Sequence, residues 1–344
     1  MEPGTVSVGL DYHQHSVQVC VLDAAGRVLR NRSVGNSVAE VGGVVRGLGT
    51  IGRVTIEACC GSADLAEALR REVRWPVELA HPGFVNRMKS NPDKSDYTDA
   101  RMLAELGRAG FVPRVWLPPA PIRELRSLVG YRQQLVNEKR ATKARLLAVL
   151  REHRVQHPQQ IRRWTRAWMT WVRTVPGVGE QGRWVIDRHL LGLERLVEDI
   201  RVAEQRLAEA TRDDPVVHKL LEQPGIGKVT AWMMRAHIGW FDRFKTGKQL
   251  ARYCGLSPRN ASSGKRQGDG GMIRAGDPYL KAVLIEAAHR LVRLDEHWKS
   301  LATRLKKKGK PGSVVAVAIA NRWIRKLYHE MKGLRAPGEV TAAA

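Results

Sequence analysis

The stretch GLDYHQHSVQVCVLDAAGRVL, residues 9–29, decides the fold. Residues 6–10 form a short apolar run that Asp11 ends, and residues 16–22 then alternate and stay β-rich. DAAG at 23–26 supplies a turn, after which the apolar pattern resumes at Val28. Such runs joined by turn residues read as a β-hairpin or meander opening a sheet. Working outward, 54–56 is a further strand with Glu57 at its end, 62–71 is a helix and 76–79 is another strand. Strands alternating with helices indicate an α/β layer fold. Asp11 and Glu57 then fall at strand positions near the middle of that sheet.

A third acidic cluster follows in KSDYTDA, residues 94–100, ahead of a helical segment at 101–110. Asp96 and Asp99 are three apart and share a helix face. One role for them is capping, with Ser95 or Asp96 as the N-cap and Asp99 in the first turn. Convergence with Asp11 and Glu57 is the other. Four uncompensated carboxylates repel one another, and they make sense together if they hold divalent cations. Two metals roughly 3.5–4 Å apart can clamp the attacking and leaving oxygens of a phosphoryl transfer. The same strand layout opens actin-like and sugar-kinase ATPases, but there a Gly-Thr/Ser phosphate loop follows the first Asp. Here Tyr12-His13-Gln14 follows, which argues against ATP.

The 344 residues suffice for two or three domains. With 58 Lys and Arg against 34 Asp and Glu, the formal charge is +24. A field of that sign and size predicts a polyanionic partner, most simply nucleic acid. The longest apolar run, 314–320, is far short of the roughly 20 residues of a membrane span. The opening MEPGTVSVGLD lacks the basic and apolar regions of a signal peptide. Cys20, Cys59, Cys60 and Cys254 form no CxxC, which suggests reduced thiols of a cytosolic protein and neither disulfides nor a zinc site.

The middle of the chain reads as two long helices. Residues 122–152 carry Leu125, Leu128, Leu135, Leu146 and Val149 at a/d spacing, interrupted by Arg132, Lys139 and Thr142. Leu193, Leu196, Ile200, Ala203, Leu207 and Ala210 fit that spacing better. Such stripes suit a helical hairpin within one chain or a coiled coil between subunits. Trp164, Trp168 and Trp171, at helical spacing between them, read as core in preference to base-stacking residues. TVPGVG at 174–179 echoes QPGIG at 223–227. The second copy, with Gly225, Gly227 and Lys228, precedes an apolar helix and has the look of a helix-hairpin-helix whose glycine N–H groups meet a phosphate. A plain αα-turn is the alternative.

Residues 253–276, YCGLSPRNASSGKRQGDGGMIRAG, could pack little core. Adjacent Ser262 and Ser263, several glycines and the cations Arg259, Lys265, Arg266 and Arg274 suit a loop that cradles phosphate. A serine here could be a nucleophile towards phosphorus, although a hydroxyl is weak and needs activation. Equally, the loop could be a basic grip on a nucleic-acid backbone.

GLDYHQHSVQVCVLDAAGRVL, TIEACCGS and DKSDYTDARMLAEL resemble the DEDD set of RuvC-like, RNase H-fold transposases, with Asp11, Glu57, Asp96 and Asp99 at the matching positions. The segments LLEQPGIGKVTAWMMRAHIG, QLARYCGLSPRNASSGKRQGDGGMIRAGDPYLKAVLIEAAH and SVVAVAIANRWIRKLYHEM resemble the C-terminal transposase domain of the IS110/IS1111 insertion-sequence family. The resemblance covers nearly the whole chain in order. It implies a RuvC-like α/β domain at 1–120, a helical or coiled-coil connector at 121–212, a mainly α C-terminal domain with the serine loop at 213–335, and a tail at 336–344. It implies Mg²⁺ at the four carboxylates, Ser263 as the catalytic serine before Gly264, donor and target DNA, and a structured bridge RNA. A homo-oligomer, dimer or tetramer, and a bacterial cytoplasmic, nucleoid-associated location also follow from it. The family's Ile-Thr/Ser-Lys-x-Gly tail departs here to Ile273-Arg274-Ala275-Gly276-Asp277. Rival functions are a metal-dependent RuvC-like endonuclease or junction resolvase, and a non-catalytic nucleic-acid binder.

Overall fold

A computed structural model gives the architecture. The structure describes residues 4–88, 95–262, 264, 268–273 and 276–335. The chain divides into two compact units, 1–118 and 119–344.

The first unit is built on one mixed sheet. Its elements are β1 (Thr5–Tyr12), β2 (Ser16–Leu22), β3 (Val28–Gly35), α1 (Val38–Val45), β4 (Thr50–Glu57), α2 (Ser62–Glu72), β5 (Val77–Ala80), α3 (Pro82–Met88), α4 (Asp96–Ala109) and β6 (Arg114–Val115). The strand order is β3-β2-β1-β4-β5-β6. The first three strands form an antiparallel meander, β4 and β5 continue parallel to β1, and β6 closes the edge antiparallel. This mixed α/β layout is consistent with an RNase H-like domain. β1 extends through Asp11 to Tyr12, beyond the apolar run that signals it in the sequence.

The two faces of β1 explain what lies over them. Val6, Val8 and Leu10 are buried with residues of α1 and α2. Ser7, Gly9 and Asp11 alternate onto the other face, and there α4 crosses β1, β2 and β4. Gly9 is what admits the helix, because a Cβ at that position would lie 2.0 Å from the Ala100 carbonyl oxygen and 2.4 Å from the Ala104 nitrogen. Gly107 does the same over β4, where its Cβ would meet Thr55 Oγ1 at 2.6 Å.

Among the described residues the second unit is helical apart from one hairpin. It contains α5 (Ala120–Glu152), α6 (Arg166–Thr174), α7 (Glu180–Ala210), α8 (Pro215–Leu221), α9 (Lys228–Ile238), α10 (Gly247–Tyr253), the hairpin β7 (Pro258–Asn260) and β8 (Asp269–Met272), then α11 (Pro278–Leu294), α12 (Glu296–Lys307) and α13 (Gly312–Met331). Leu125 and Val129 share a core with Leu207, whereas Leu146 and Leu150 share one with Ile186 and Leu190. So α5 and α7 run antiparallel, as a hairpin joining two separate cores. Arg132 and Thr142, which interrupt the apolar spacing of the sequence, belong to the seam: Arg132 pairs with Glu204 at 2.6 Å, and Thr142 is buried. Trp168 is buried, with Trp164 and Trp171 packed beside it.

The echo between 174–179 and 223–227 is structural as well. Gly177 and Gly225 hold φ values of 81° and 80°, which glycine adopts without a Cβ penalty. Two residues on, Gly179 and Gly227 are the N-caps of α7 and α9, neither with a side-chain cap.

Candidate metal centre and nucleic-acid interface

Asp11 and Glu57 lie at the carboxyl ends of the two central strands. Leu10 pairs with Ile56, so the two acids occupy the next position of a parallel pair, and both alternate onto the face that α4 covers. α4 begins beside them. Ser95 is its N-cap, accepting from the Thr98 N–H at 3.3 Å, and Asp96 and Asp99 stand in its first turn, the arrangement that the capping reading of the sequence expects. Asp99 belongs to the sheet-facing stripe with Ala100, Leu103, Ala104 and Gly107. Gln18 donates to Asn31 at 2.7 Å, and Asn31 donates to the Tyr97 carbonyl at 3.0 Å, which ties the first turn of α4 to β2 and β3.

Among the described residues, one group of three brings metal-ligating atoms together: Asp11, His13 and Asp96, all within 4.8 Å of one another. His13 Nε2 lies 3.4 Å from Asp11 Oδ2 and 3.2 Å from Asp96 Oδ2. The turn between β1 and β2 holds His13, whose N–H donates to Ser16 at 2.9 Å and whose carbonyl accepts from Asn36 at 3.0 Å. Glu57 and Asp99 stand outside this trio. Glu57 and Asp11 nevertheless act on one atom: partial desolvation pushes the thiol of the exposed Cys59 up, hydrogen bonds with Ser62 oppose that, and both carboxylates add to the push. His13 carries no periodic signal in the sequence, and only the tight turn back into β2 reveals it. Carboxylate oxygens with an imidazole nitrogen suit a divalent cation.

The serine loop is pinned at both ends. The Tyr253 hydroxyl donates to the His237 carbonyl at 2.8 Å. At the other end Asp277 caps α11, accepting from the N–H groups of Tyr279 and Leu280 at 2.8 Å each, and its Oδ2 lies 3.7 Å from His237 Nδ1. Burial holds the His237 imidazole below its ordinary pKa, with Asp277 opposing and Arg126 reinforcing that shift. Gly276, at φ 92°, closes the neck, because its Cβ would meet the Tyr253 carbonyl at 2.5 Å. Within the loop, Ser262 Oγ accepts from the Gly268 N–H at 3.2 Å. Arg259 is exposed on β7, its guanidinium against Gly270. Ser263, Lys265, Arg266 and Arg274 lie outside the described residues.

Gly225 presses on α11, and its carbonyl accepts from Arg290 at 3.0 Å. Gly227 and Lys228 are exposed at the start of α9, where uncapped N–H groups and Lys228 suit an anion. A wider basic surface, a cavity of about 770 Å³, lies between α10 and α13. Lys245, Lys248, Arg322, Arg325, Lys326 and Lys332 line it. Among the described residues no helix is long and apolar enough to cross a membrane.

The chain is similar to known transposases along most of its length. Residues 8–155 match a profile of DEDD transposases, and residues 217–303 match one described as Transposase IS116/IS110/IS902 family. A probable family 20 transposase of Pseudomonas aeruginosa is 30% identical over 332 residues, covering 93% of this chain and 95% of its own. The transposase for insertion sequence element IS1111A of Coxiella burnetii is 26% identical, covering 91% and 86%. That for IS1328 of Yersinia enterocolitica is 27% identical, covering 79% and 81%. The chain belongs to the IS110-type family of insertion-sequence transposases, enzymes that cut and rejoin DNA.

Proposed function

We propose that this transposase breaks and rejoins DNA through a covalent serine–DNA intermediate at Ser263, at a Mg²⁺ centre held by Asp11, Glu57, Asp96 and Asp99 of a RuvC-like domain. A structured bridge RNA guides it, and the working species is a homo-oligomer. The observation that carries the metal part is the approach of Asp11 and Asp96 at the carboxyl end of the central strands. The His13 ring nitrogen lies within reach of both, 3.4 Å from Asp11 Oδ2 and 3.2 Å from Asp96 Oδ2, and completes the group of ligand atoms. Bound Mg²⁺ supplies charge stabilisation at a scissile phosphate and its leaving oxygen.

The chain's own residues do the rest. Ser263 Oγ bonds to phosphorus as it loses its proton, and the phosphorus–oxygen bond to the departing sugar breaks. That sugar oxygen leaves as a hydroxyl after taking up a proton. One phosphoester replaces another, so the bond energy is kept for rejoining by an incoming DNA hydroxyl. Tyr253, His237 and Asp277 keep the loop ends at a fixed separation. The basic surface between α10 and α13 and the start of α9 grip phosphates without reading sequence.

A DNA substrate that cannot religate tests this. Protein should become attached to one strand end, the attachment should need Mg²⁺, and Ser263→Ala should abolish it while nucleic-acid binding survives. Cleavage with free ends and no adduct from the wild-type protein makes this a water-using nuclease instead. Undiminished recombination from RNase-treated protein with DNA alone removes the guide RNA from the proposal.

A further inference from the structure

The second unit contains a cavity that the serine loop, the basic surface and the metal centre do not use. Its volume is about 250 Å³. The end of α5 contributes Leu147 and Arg151, the loop after it His157 and Arg163, and α6 Trp168 and Trp171. Two of these side chains have unanswered polar atoms. Trp168 is 1% exposed, and its Nε1 is buried without a hydrogen-bond partner. His157 Nδ1 is buried and unpartnered as well. The His157 and Trp171 rings meet edge to face at 6.0 Å, and Trp168 and Trp171 stand 6.3 Å apart at 47°. Arg151 and Arg163 are exposed at this site.

Each feature narrows the occupant. A buried donor with no acceptor is costly, so the site favours a guest that offers one to Trp168. Ligand pockets for drug-sized molecules run from roughly 300 Å³ upward, so this one suits a single small ring system. Leu147, Leu150 and Val155 offer water no hydrogen bond, so that part of the lining favours an apolar face over water. Indole walls favour a flat π-face. Two exposed arginines favour anionic groups on either side of that ring. A planar heterocycle carrying both donor and acceptor edges, flanked by phosphates, is a nucleotide whose base is unstacked.

We infer that this cavity seats one unpaired nucleobase of a bound nucleic-acid strand. The base stacks along Trp171 and bonds to Trp168 Nε1 and His157 Nδ1, while Arg151 and Arg163 take the adjacent phosphates. The inference rests on the nucleic-acid partner of the proposed function, and it assigns to the loop between α5 and α6, with the helix ends that flank it, a role in holding a splayed-out base. An RNA loop and a DNA strand opened during exchange both present such a base, and the chemistry of the seat is the same.

Short single strands of RNA and, separately, of DNA test it, each carrying 2-aminopurine at one position, with a matched strand that is abasic there. On binding the full-length protein, 2-aminopurine emission should be quenched. The base-bearing strand should bind roughly 5- to 150-fold more tightly than the abasic one, the range for stacking one base on an aromatic side chain. Trp168→Phe keeps the ring and removes only the N–H, and Trp171→Leu removes the stacking wall. Both should shrink that gap and the quenching, with the salt dependence of binding unchanged because the phosphate contacts remain. A gap with RNA only, DNA only or both identifies the source. Equal binding of base-bearing and abasic strands by the wild type, with both RNA and DNA, overturns the inference and leaves the transposase reading intact. So does a full gap in both tryptophan variants. Failure of the wild type to bind any single strand overturns the inference as well.

Discussion

Gly9 of β1 lies directly beneath Ala100 of α4, so closely that a Cβ on the glycine would stand 2.0 Å from the alanine carbonyl oxygen. The atom in the way is helix backbone, which cannot rotate aside. Gly9→Ala must therefore lift the start of α4 off the sheet, and with it Asp96 and Asp99. Overpacking of this kind costs about 1–3 kcal/mol or more. Thermal melting should show that loss, and strand cleavage should fall further than the melting point explains, because the carboxylates separate. Gly42→Ala is the control. No atom lies within 4 Å of that Cβ, and the residue is inside α1, so the variant should gain up to about 0.5–1 kcal/mol and keep full activity.

The metal centre can be tested without DNA. A cation that binds only the folded protein raises its melting temperature, by about 2.7 kcal/mol of added stability at a hundredfold excess over Kd. Mg²⁺ or Mn²⁺ should raise the wild-type melting point and leave that of Asp11→Asn unmoved. In the absence of metal, Asp11→Asn should melt no lower than the wild type, since a like charge beside Asp96 has been removed. His13→Gln keeps the oxygen pair and removes the imidazole, so it should retain a weaker metal shift. An equal shift in wild type and Asp11→Asn would show that the cation sits elsewhere.

Much of this geometry is legible in the chain, for physical reasons that differ by residue. Asp11 and Glu57 stand out because each ends an apolar run, and period-two alternation then assigns both to one face. Asp96 and Asp99 stand out through the cap sequence beginning at Ser95. His13 is hidden, since a lone histidine in a turn has no period and becomes a neighbour of Asp96 only after α4 crosses the sheet. Gly9 is hidden for a related reason: in a strand it reads as weakness, whereas its role is the room it leaves for a helix far away in sequence. α1 is invisible because Gly42-Gly43 depresses its helix propensity, and burial of Val41, Val44 and Val45 overrides that. Arg132 and Thr142 look like interruptions of a stripe because the seam joins two cores, and its middle is free to be polar.

Thiol reactivity should divide the cysteines in two. Cys59 and Cys60 are exposed, whereas Cys20 and Cys254 are buried. Burial pushes the Cys20 thiol up to about 11 and the Cys254 thiol up to about 12. Maleimide should label two thiols in the native protein and four in denaturant. Above pH 9 the unfolded chain releases these two protons and the folded chain keeps them, so folding stability falls as pH rises from 9 towards 11–12. In Cys254→Ala that alkaline loss should be shallower, as read from urea melts between pH 8 and pH 10.5.

The basic surface between α10 and α13 should appear in the salt dependence of binding. Each phosphate neutralised on duplex DNA contributes a slope of about −0.9 to the plot of log affinity against log salt. Arg322 and Lys326 are exposed on one face of α13, a turn apart. The double variant Arg322→Gln/Lys326→Gln should reduce the slope by about 1.8 and weaken all sequences alike, because phosphate contacts carry no sequence information. An unchanged slope would show that nucleic acid lies on another face.

Ser262 and Ser263 are adjacent hydroxyls, and their expected roles differ in magnitude. Ser262 already has a structural duty, since its oxygen accepts the Gly268 N–H across the hairpin. Losing one neutral hydrogen bond costs about 0.5–1.5 kcal/mol, so Ser262→Ala should slow recombination by roughly tenfold at most and still form the protein–DNA adduct. Loss of a nucleophile is of another order, because triad-type replacements cost up to about 10⁶ in rate. Ser263→Ala should therefore leave no adduct and no measurable recombination, with the melting point unchanged. Single-turnover measurements on both variants separate these outcomes. If the adduct survives in Ser263→Ala and disappears in Ser262→Ala, the nucleophile is Ser262, and its bond to Gly268 must open before it can attack.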